Sequence, residues 1–223
     1  MIDVKSDTFG LVQARHSSEL MIAQPSKRAG GHPHVTQLLN VWLQDRLPKG
    51  PGQAEWYWSS ITLNEGYASK AHVDGNNVGP SIIRSFGSHD GGELQYWPDG
   101  PCNDPAILNP AGKESLTVFD GTKHHGTLPY NGERYSVIFY LRRGLDRASP
   151  GTFKELQALG FNPLEREVDA RNWHSQVMEK GHHYEVRCPA LCKAEPHLVP
   201  APLQHPSNMT PHSPIFGNIN TAK

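Results

Sequence analysis

The sequence has few cysteines, no long apolar run and no excess of charge of either sign. Its 223 residues include three cysteines, Cys102, Cys188 and Cys192, which are too few and odd in number for a disulfide framework. No apolar stretch reaches the roughly 18 residues that a membrane-spanning helix needs. The formal net charge of -1 does not indicate a surface that binds nucleic acid or a membrane, although it is compatible with a local basic patch.

The beginning of the chain carries no recognisable export signal. The first ten residues, MIDVKSDTFG, do not combine a basic segment with a following apolar run, which predicts that there is no signal peptide. Together with the low cysteine content, this predicts a reducing intracellular compartment, cytoplasm or nucleus, and no membrane association. The sequence does not indicate an oligomeric state.

One amphipathic helix precedes a series of short strands. Between residues 34 and 47 the apolar residues recur at the spacing of a helix with one buried face, at Val35, Leu38, Leu39, Trp42 and Leu43. Strands are predicted, from β-branched and aromatic residues separated by Gly, Pro, Asn and Asp, over residues 56–64, 81–86, 92–97, 115–119 and 134–141. Gly91 and Gly92 predict a hairpin turn. The pattern predicts a mainly β fold with flanking helices, a barrel or a sandwich.

Four segments are predicted along the chain. They are an N-terminal lead-in over residues 1–32 with a short edge strand at 8–13, a β core with its preceding helix over 33–145, a helical extension over 146–185, and a tail over 186–223. Within the core, residues 98–114 are predicted to be a long loop over the mouth of the barrel.

The two C-terminal segments differ in character. In the extension, Thr152 and Glu155 have the spacing of a capping box and Gly160 ends the helix that follows. The tail is rich in proline and poor in apolar residues, which predicts disorder. An alternative is a zinc site, although its spacing is not a familiar one, built from His182, His183, Cys188 and Cys192.

A pair of potential metal ligands follows the first predicted strand and precedes the second. His72 and Asp74 are two residues apart at the end of an extended run, so that both side chains can point to one face. A neutral nitrogen donor beside a hard oxygen donor suits Fe(II) or Mn(II), and two histidines with one carboxylate leave coordination positions open. The simpler interpretation is a turn with exposed polar side chains, because a chain with 13 histidines contains such pairs by chance.

The segment from Phe119 to Leu141 offers the remaining polar groups. His124 and His125 are both candidates for a third ligand, and because neighbours on a strand point to opposite faces, only one of them can bind the metal. Arg134 and Ser136 share one face of an apolar strand. A guanidinium matches a carboxylate with two hydrogen bonds, and the hydroxyl adds another on the same side. An arginine in a salt bridge at the rim is the alternative.

In chain order these motifs are HxD, a histidine and RxS, and together they resemble the Fe(II)/2-oxoglutarate dioxygenase superfamily over about residues 35–142. The resemblance implies a double-stranded β-helix, or jelly roll, and a catalytic Fe(II) held by His72, Asp74 and His125. His125 is preferred to His124 because similar members place the ligand six residues after the Phe of an FDG segment and nine before the Arg. It also implies that O2 and 2-oxoglutarate are consumed.

The same resemblance implies a cosubstrate site. Arg134 and Ser136 would hold the distal carboxylate of 2-oxoglutarate. Asn64 and Tyr67, in an LNxxY setting, look like the strand from which related enzymes contact the cosubstrate, although ordinary strand packing explains them equally well. The product would be a hydroxylated C–H bond, with release of succinate and CO2.

The substrate is suggested by the residues around the HxD pair. HVDGNNVGPS, which reads HxDxxNxGxS, followed by GGEL, resembles most the TET/J-binding-protein group, which oxidises methyl groups of pyrimidine bases in nucleic acid. The chain departs from better-known members in its neutral charge and in having no separate basic or zinc-rich DNA-binding module. Asn77, Gly79 and Ser81 equally fit a turn between strands.

Two other functions stay open. The first is a prolyl-hydroxylase-like oxygenase acting on a protein side chain, although such enzymes more often have Lys where this chain has Arg134. The second is a degenerate domain that binds a ligand without turnover, against which the intact motifs argue.

Overall fold

Twelve strands and three α-helices make up the described part of the chain, so that the predicted mainly β class with flanking helices is confirmed. The computed structural model describes residues 5–13, 20–23, 33–50, 53–112, 115–178 and 183–188. The helices are α1 Pro33–Gln44, α2 Pro150–Ala158 and α3 Glu167–Met178. The strands are β1 Lys5–Gln13, β2 Leu20–Ala23, β3 Ser60–Glu65, β4 Asn77–Phe86, β5 His89–Gly91, β6 Leu94–Trp97, β7 Ala106–Leu108, β8 Ser115–Phe119, β9 His124–Thr127, β10 Tyr130–Gly132, β11 Tyr135–Arg142 and β12 His183–Arg187.

The strands form a large sheet and two small ones. The large antiparallel sheet has the order β12-β8-β4-β11-β3-β1-β2, and the small sheets have the orders β7-β6-β9 and β10-β5. Along the chain, β3 and β4 lie in the large sheet, β6 in a small one, β8 in the large one, β9 in a small one and β11 in the large one. An isolated bridge from His72 to His125 adds one more crossing between β3 and β4. This alternation is the path of a double-stranded β-helix, as expected.

The two faces of β11 serve different purposes. Val137, Phe139 and Leu141 belong to a core that the helices complete, and Phe139 stacks on Trp42 of α1 with 6.2 Å between ring centroids. The even-numbered residues of β11 line a cavity on the other side of the sheet. Because side chains alternate along a strand, the helices stabilise the sheet from outside while the polar residues face inward.

Helix α1 is confirmed, and its predicted face is confirmed in part, since Leu39, Trp42 and Leu43 pack in or against the core. Val35 and Leu38 are exposed, whereas Asn40 is fully buried and Leu43 packs in the core. Asn40 is buried at low cost because its amide donates to Leu159 O at 2.8 Å and its oxygen accepts from the Trp58 indole at 2.7 Å. Apolar spacing alone could not reveal a polar residue whose partners come from distant segments.

Two segments that were predicted to form turns have a different structure. The residues from Asn77 to Ser81 are part of β4 rather than a turn, and Gly79 has a φ of +80° where a Cβ would lie 2.8 Å from the Trp173 ring. Gly91 and Gly92 do not close a hairpin, since β5 pairs with β10 and β6 pairs with β7 and β9. The glycines instead carry the chain from one small sheet to the other.

The ends of the domain contain more regular structure than the sequence predicted. The expected edge strand at 8–13 runs from residue 5 and lies between β3 and β2. The loop predicted at 98–114 contains β7. Helix α2 starts earlier than the expected capping box, because Ser149 caps it by accepting from Thr152 N. Helix α3 and β12 were not predicted.

Strand β12 pairs with β8 and extends to Arg187, two residues beyond the expected boundary. The rest of the predicted tail, and His182 and Cys192 of the alternative zinc site, lie outside the described residues. None of the described helices is long and apolar enough to cross a membrane.

Candidate metal centre

A cavity of about 540 Å³ lies between the large sheet and the β6–β9 strands. Strand β11 contributes every second residue to its wall, beginning at Ser136 and ending at Arg142, and β3, β4 and β1 complete that side. The predicted metal ligands lie on the opposite side of the cavity. There the bridge between His72 and His125 joins the segment of His72 to strand β9 of the small sheet. The cavity wall is therefore polar at both ends.

The structure brings His72, Asp74 and His125 together at this wall. Asp74 Oδ1 lies 3.5 Å from His72 Nε2 and Asp74 Oδ2 lies 3.7 Å from His125 Nε2. One ligand atom from each residue lies within 4.8 Å of the others, and in the described part of the chain no further group of three such residues is found. One ion with bonds of about 2.1 Å can bridge atoms about 4.2 Å apart, so the three side chains need only small movements to share a metal.

Both histidines turn their Nε2 atoms toward the centre because of the backbone. His72 Nδ1 lies 2.8 Å from Lys70 O, and His125 Nδ1 lies 2.9 Å from Lys123 O. A carbonyl oxygen can only accept, so Nδ1 carries the proton in each neutral ring and Nε2 keeps the lone pair. This backbone support fixes the tautomer that a metal requires. The donor set and its orientation therefore fit an Fe(II) or Mn(II) ion.

The two histidines differ in their electrostatic surroundings. The hydrogen bond with Asp74 raises the pKa of His72. Burial lowers the pKa of His125, whose side chain is almost fully enclosed. A depressed pKa keeps the imidazole in the neutral form that binds a metal.

The carboxylate of Asp74 is held by two elements. Its backbone N–H donates to Gly121 O at 2.8 Å, which connects it to the FDG loop, residues 119–121. Asn77 donates its side-chain amide to Asp74 Oδ2 at 3.1 Å. Gly121 leaves room for this arrangement, since a Cβ there would lie 2.9 Å from Ser81 Oγ and 3.4 Å from Asp74 Oδ2. The loop and the start of β4 together position the ligand.

His124 lies outside this cluster. Its backbone pairs with Trp97 at the end of β9, next to His125, and its side chain is only partly buried and does not line the cavity. Neighbouring residues of a strand face opposite sides. The geometry therefore favours His125, as the family spacing implies.

Three of the four predicted cosubstrate residues line one end of the cavity, and the fourth lies behind it. Asn64, Tyr67 and Ser136 line its wall, and Asn64 donates to Ser136 Oγ across the β3–β11 pair at 3.4 Å. Arg134 does not line the cavity. It lies directly behind this wall, because its guanidinium donates to Tyr67 O at 3.3 Å and to Gly92 O at 3.1 Å.

Arg134 is buried without a carboxylate partner among the described residues. Its side chain is 3% exposed, its Nε has no hydrogen-bond acceptor and the burial lowers its pKa. Gly92 makes the space, since a Cβ at that position would lie 2.7 Å from Arg134 Nε. A buried guanidinium stays charged and is costly unless an anion pairs with it, which fits a carboxylate binding here.

Arg142 is a cavity residue that the sequence prediction missed. It follows Ser136 on the same face of β11, at the opposite end of the wall. The strand geometry could have predicted it, because side chains alternate between the two faces of a strand and residues 138, 140 and 142 therefore share the face of Ser136.

The comparisons with known proteins concern the fold. No protein-family model matches the chain, and no curated protein sequence is significantly similar to it. Solved structures similar to it include a 2OG-Fe(II) oxygenase family oxidoreductase from Burkholderia pseudomallei, with 18% identity, a TM-score of 0.44 and coverage of 63% of this chain and 71% of that one. NgTET1 in complex with 5mC DNA has 13% identity, a TM-score of 0.42 and coverage of 69% of both chains.

A third similar structure comes from work on prolyl 4-hydroxylases of Phytophthora capsici. It has 16% identity and a TM-score of 0.31, and it covers 68% of this chain and 56% of that one. At such low scores these likenesses do not bear on activity, which has to be inferred from the residues of the chain itself.

Proposed function

We propose that this protein is an Fe(II)- and 2-oxoglutarate-dependent dioxygenase that hydroxylates a C–H bond. The observation that carries the proposal is that His72, Asp74 and His125 converge on one point of a cavity. At one end of this cavity the buried Arg134, which has no carboxylate partner among the described residues, lies behind the wall. Iron bound by the three converging side chains would supply oxygen activation coupled to decarboxylation, so that O2 and 2-oxoglutarate yield succinate, CO2 and one hydroxyl group on the substrate.

The site residues have three roles: they hold the metal, bind the cosubstrate and exclude water. His72, Asp74 and His125 hold the metal, with Lys70 O and Lys123 O fixing the two rings. Ser136 and Asn64 offer hydrogen bonds to the distal carboxylate of the cosubstrate, and the charge of Arg134 behind them stabilises it. The apolar side chains of Ile83, Leu94, Phe119 and Ile138 exclude water from the inner wall. A dry wall strengthens the charge interactions of the site.

For the substrate, we propose a methylated pyrimidine base in nucleic acid as the first class to test. The support is the sequence pattern from His72 to Ser81. In the structure this pattern has a local physical role, since Asn77 holds Asp74 and Gly79 makes room for Trp173. That role would suit other substrates equally, so a protein side chain is the second substrate class to test. If neither class reacts, we expect a domain that binds a ligand without turnover.

Succinate formation tests the proposed activity. Purified protein with Fe(II), ascorbate and 2-oxoglutarate should release succinate slowly without a substrate and faster with the correct one. Mass spectrometry of oligonucleotides containing 5-methylcytosine or thymine, single- and double-stranded, and of proline-containing peptides would then detect a mass increase of one oxygen atom.

The matched control is the neighbouring histidine. Succinate release should disappear in His125→Ala and persist in His124→Ala, because only His125 lies at the Asp74 carboxylate. A wild-type protein that binds metal and 2-oxoglutarate but never forms succinate would contradict the proposed activity and favour a ligand-binding domain.

A further inference from the structure

Arg142 is a second buried arginine beside the cavity, at the end opposite to Ser136. Its side chain is 8% exposed, and its guanidinium donates to Asn76 O at 2.8 Å and to Gln13 Oε1 at 3.1 Å. Both acceptors are neutral. A guanidinium has five N–H donors, so three are left for another acceptor within the cavity.

The positive charge of Arg142 has no negative partner in the described part of the chain. No ion pair joins it to a carboxylate there. The titratable side chains that act on it are the phenol of Tyr140, which is uncharged at neutral pH, and then two other arginines, Arg147 and Arg143. Burial lowers the pKa of Arg142, but a guanidinium stays protonated in proteins. Buried charges are normally paired or bound to a ligand, so the cavity contains an unsatisfied cation.

The cosubstrate would not satisfy this cation. Under the proposed function, on which this step rests, the two charges of Fe(II) and the one of Arg134 balance the single charge of Asp74 and the two of 2-oxoglutarate. The charge of Arg142 is then left over. Distance separates Arg142 from the distal carboxylate of the cosubstrate, since six residues of strand lie between Ser136 and Arg142, or about 20 Å.

We infer that Arg142 binds a singly charged oxyanion on the primary substrate and so orients the substrate in the cavity. Arg142 presents a planar fork that matches two oxygens of such a group, and Asn76 and Gln13 hold that fork in place. Both a carboxylate and a phosphate diester fit this chemistry. Arg142 is thus a specificity-determining residue at the substrate end of the cavity, as Ser136 is a cosubstrate residue at the other end.

Anion binding can be measured without turnover. The full chain, labelled with ¹⁵N and loaded with Zn(II) as a diamagnetic stand-in for iron, would first be titrated with 2-oxoglutarate. Acetate, dimethyl phosphate and neutral acetamide would then be added in separate titrations, following the backbone amides of Asn76 and Asn77. We expect saturable shifts with acetate or dimethyl phosphate, whichever source the site accepts, and none with acetamide.

Three variants make the result specific to Arg142. Arg142→Gln should weaken binding of the accepted oxyanion about tenfold or more, and Arg142→Lys should weaken it less, since the charge remains without the fork. Arg143→Gln is the matched control. That side chain is half exposed, 3.9 Å from Glu167, and its replacement should leave the affinity unchanged.

The outcomes separate this inference from the proposed function. Shifts that are equal in wild type and Arg142→Gln, or absent in wild type while 2-oxoglutarate still binds, would overturn only the oxyanion site. A loss of 2-oxoglutarate affinity in Arg142→Gln would also overturn it, by assigning Arg142 to the cosubstrate. A wild-type chain that binds no 2-oxoglutarate would instead contradict the proposed function.

Discussion

Arg134 illustrates how much of the site depends on single residues whose charge is buried. The sequence placed it on a strand with Ser136, and the structure adds that it is enclosed, that it donates only to the carbonyls of Tyr67 and Gly92, and that its Nε has no acceptor. Such a group is stabilised when an anion binds. Binding of the cosubstrate carboxylate should therefore gain free energy from the charge of Arg134.

Replacing Arg134 tests this interpretation. We expect Arg134→Ala to weaken 2-oxoglutarate binding by roughly 2–4 kcal/mol, or about 30- to 1000-fold, because it removes the buried positive charge behind Ser136 and Asn64. Arg134→Lys should recover only part of the loss, because an ammonium group cannot present the planar fork. Calorimetric titration of Mn(II)-loaded protein measures both, and an unchanged affinity in Arg134→Ala would remove this residue from the site.

Residues that repeat a local pattern were predictable, and residues defined by distant contacts were not. The two-residue spacing of His72 and Asp74, and of Arg134 and Ser136, follows from the geometry of a strand. The burial of Asn40 depends on Trp58 and Leu159, far away in sequence. No window of the sequence contains that information.

Among the elements, apolar strands and the amphipathic helix α1 were predictable, and mostly polar elements were not. Strands β8 and β11 are buried and rich in β-branched and aromatic residues, so their positions were predicted within one residue. Helix α3 is mostly polar, with Ala170, Trp173 and Met178 as its buried residues. Strand β12 reads HYEVR, in which only Val186 is buried. Their stability comes from the partner surface rather than from local preference.

Strand β12 gives a test at this scale. A chain ending after Cys188 retains every described strand and helix and should melt like the full chain. A chain ending after Met178 should lose the burial of Val186, about 1.5–3 kcal/mol, which lowers the melting temperature by roughly 2–4 °C for each kcal/mol in a domain of this size. Thermal unfolding followed by circular dichroism measures the difference. Equal melting temperatures for the two truncated chains would show that β12 does not stabilise the fold.

At the scale of the whole molecule, a contact between a histidine and a carboxylate links the metal side of the barrel to helix α3. His174 of α3 lies 3.3 Å from Asp120 of the FDG loop, whose next residue, Gly121, accepts a hydrogen bond from Asp74. Burial by itself would raise the pKa of Asp120, but the proximity of His174 and the hydrogen bonds from Thr122 N and Oγ1 outweigh it and hold that pKa below its ordinary value. Packing of α3 and the position of the metal ligands are thereby connected.

The depressed pKa of Asp120 predicts how stability depends on pH. A carboxyl whose pKa is lower in the folded state stabilises the fold above its unfolded pKa, about 3.9 for Asp, and this contribution is lost as the pH falls through the folded pKa. Between pH 6 and pH 3 the wild type should therefore lose more stability than Asp120→Asn. Urea unfolding at each pH measures this, with exposed Asp104→Asn as a control that keeps the wild-type profile. Parallel curves for wild type and Asp120→Asn would contradict the assignment.

The most direct test of the account is the binding of one metal ion by the three converging side chains. Electron paramagnetic resonance of free Mn(II) during titration gives stoichiometry and affinity without any assumption about substrate. We predict one Mn(II) per wild-type chain, the same for His124→Ala, and a large loss of affinity in His72→Ala, Asp74→Ala and His125→Ala with the fold preserved. Full binding in His125→Ala combined with its loss in His124→Ala, or no binding by the wild type, would contradict the metal centre described for this protein.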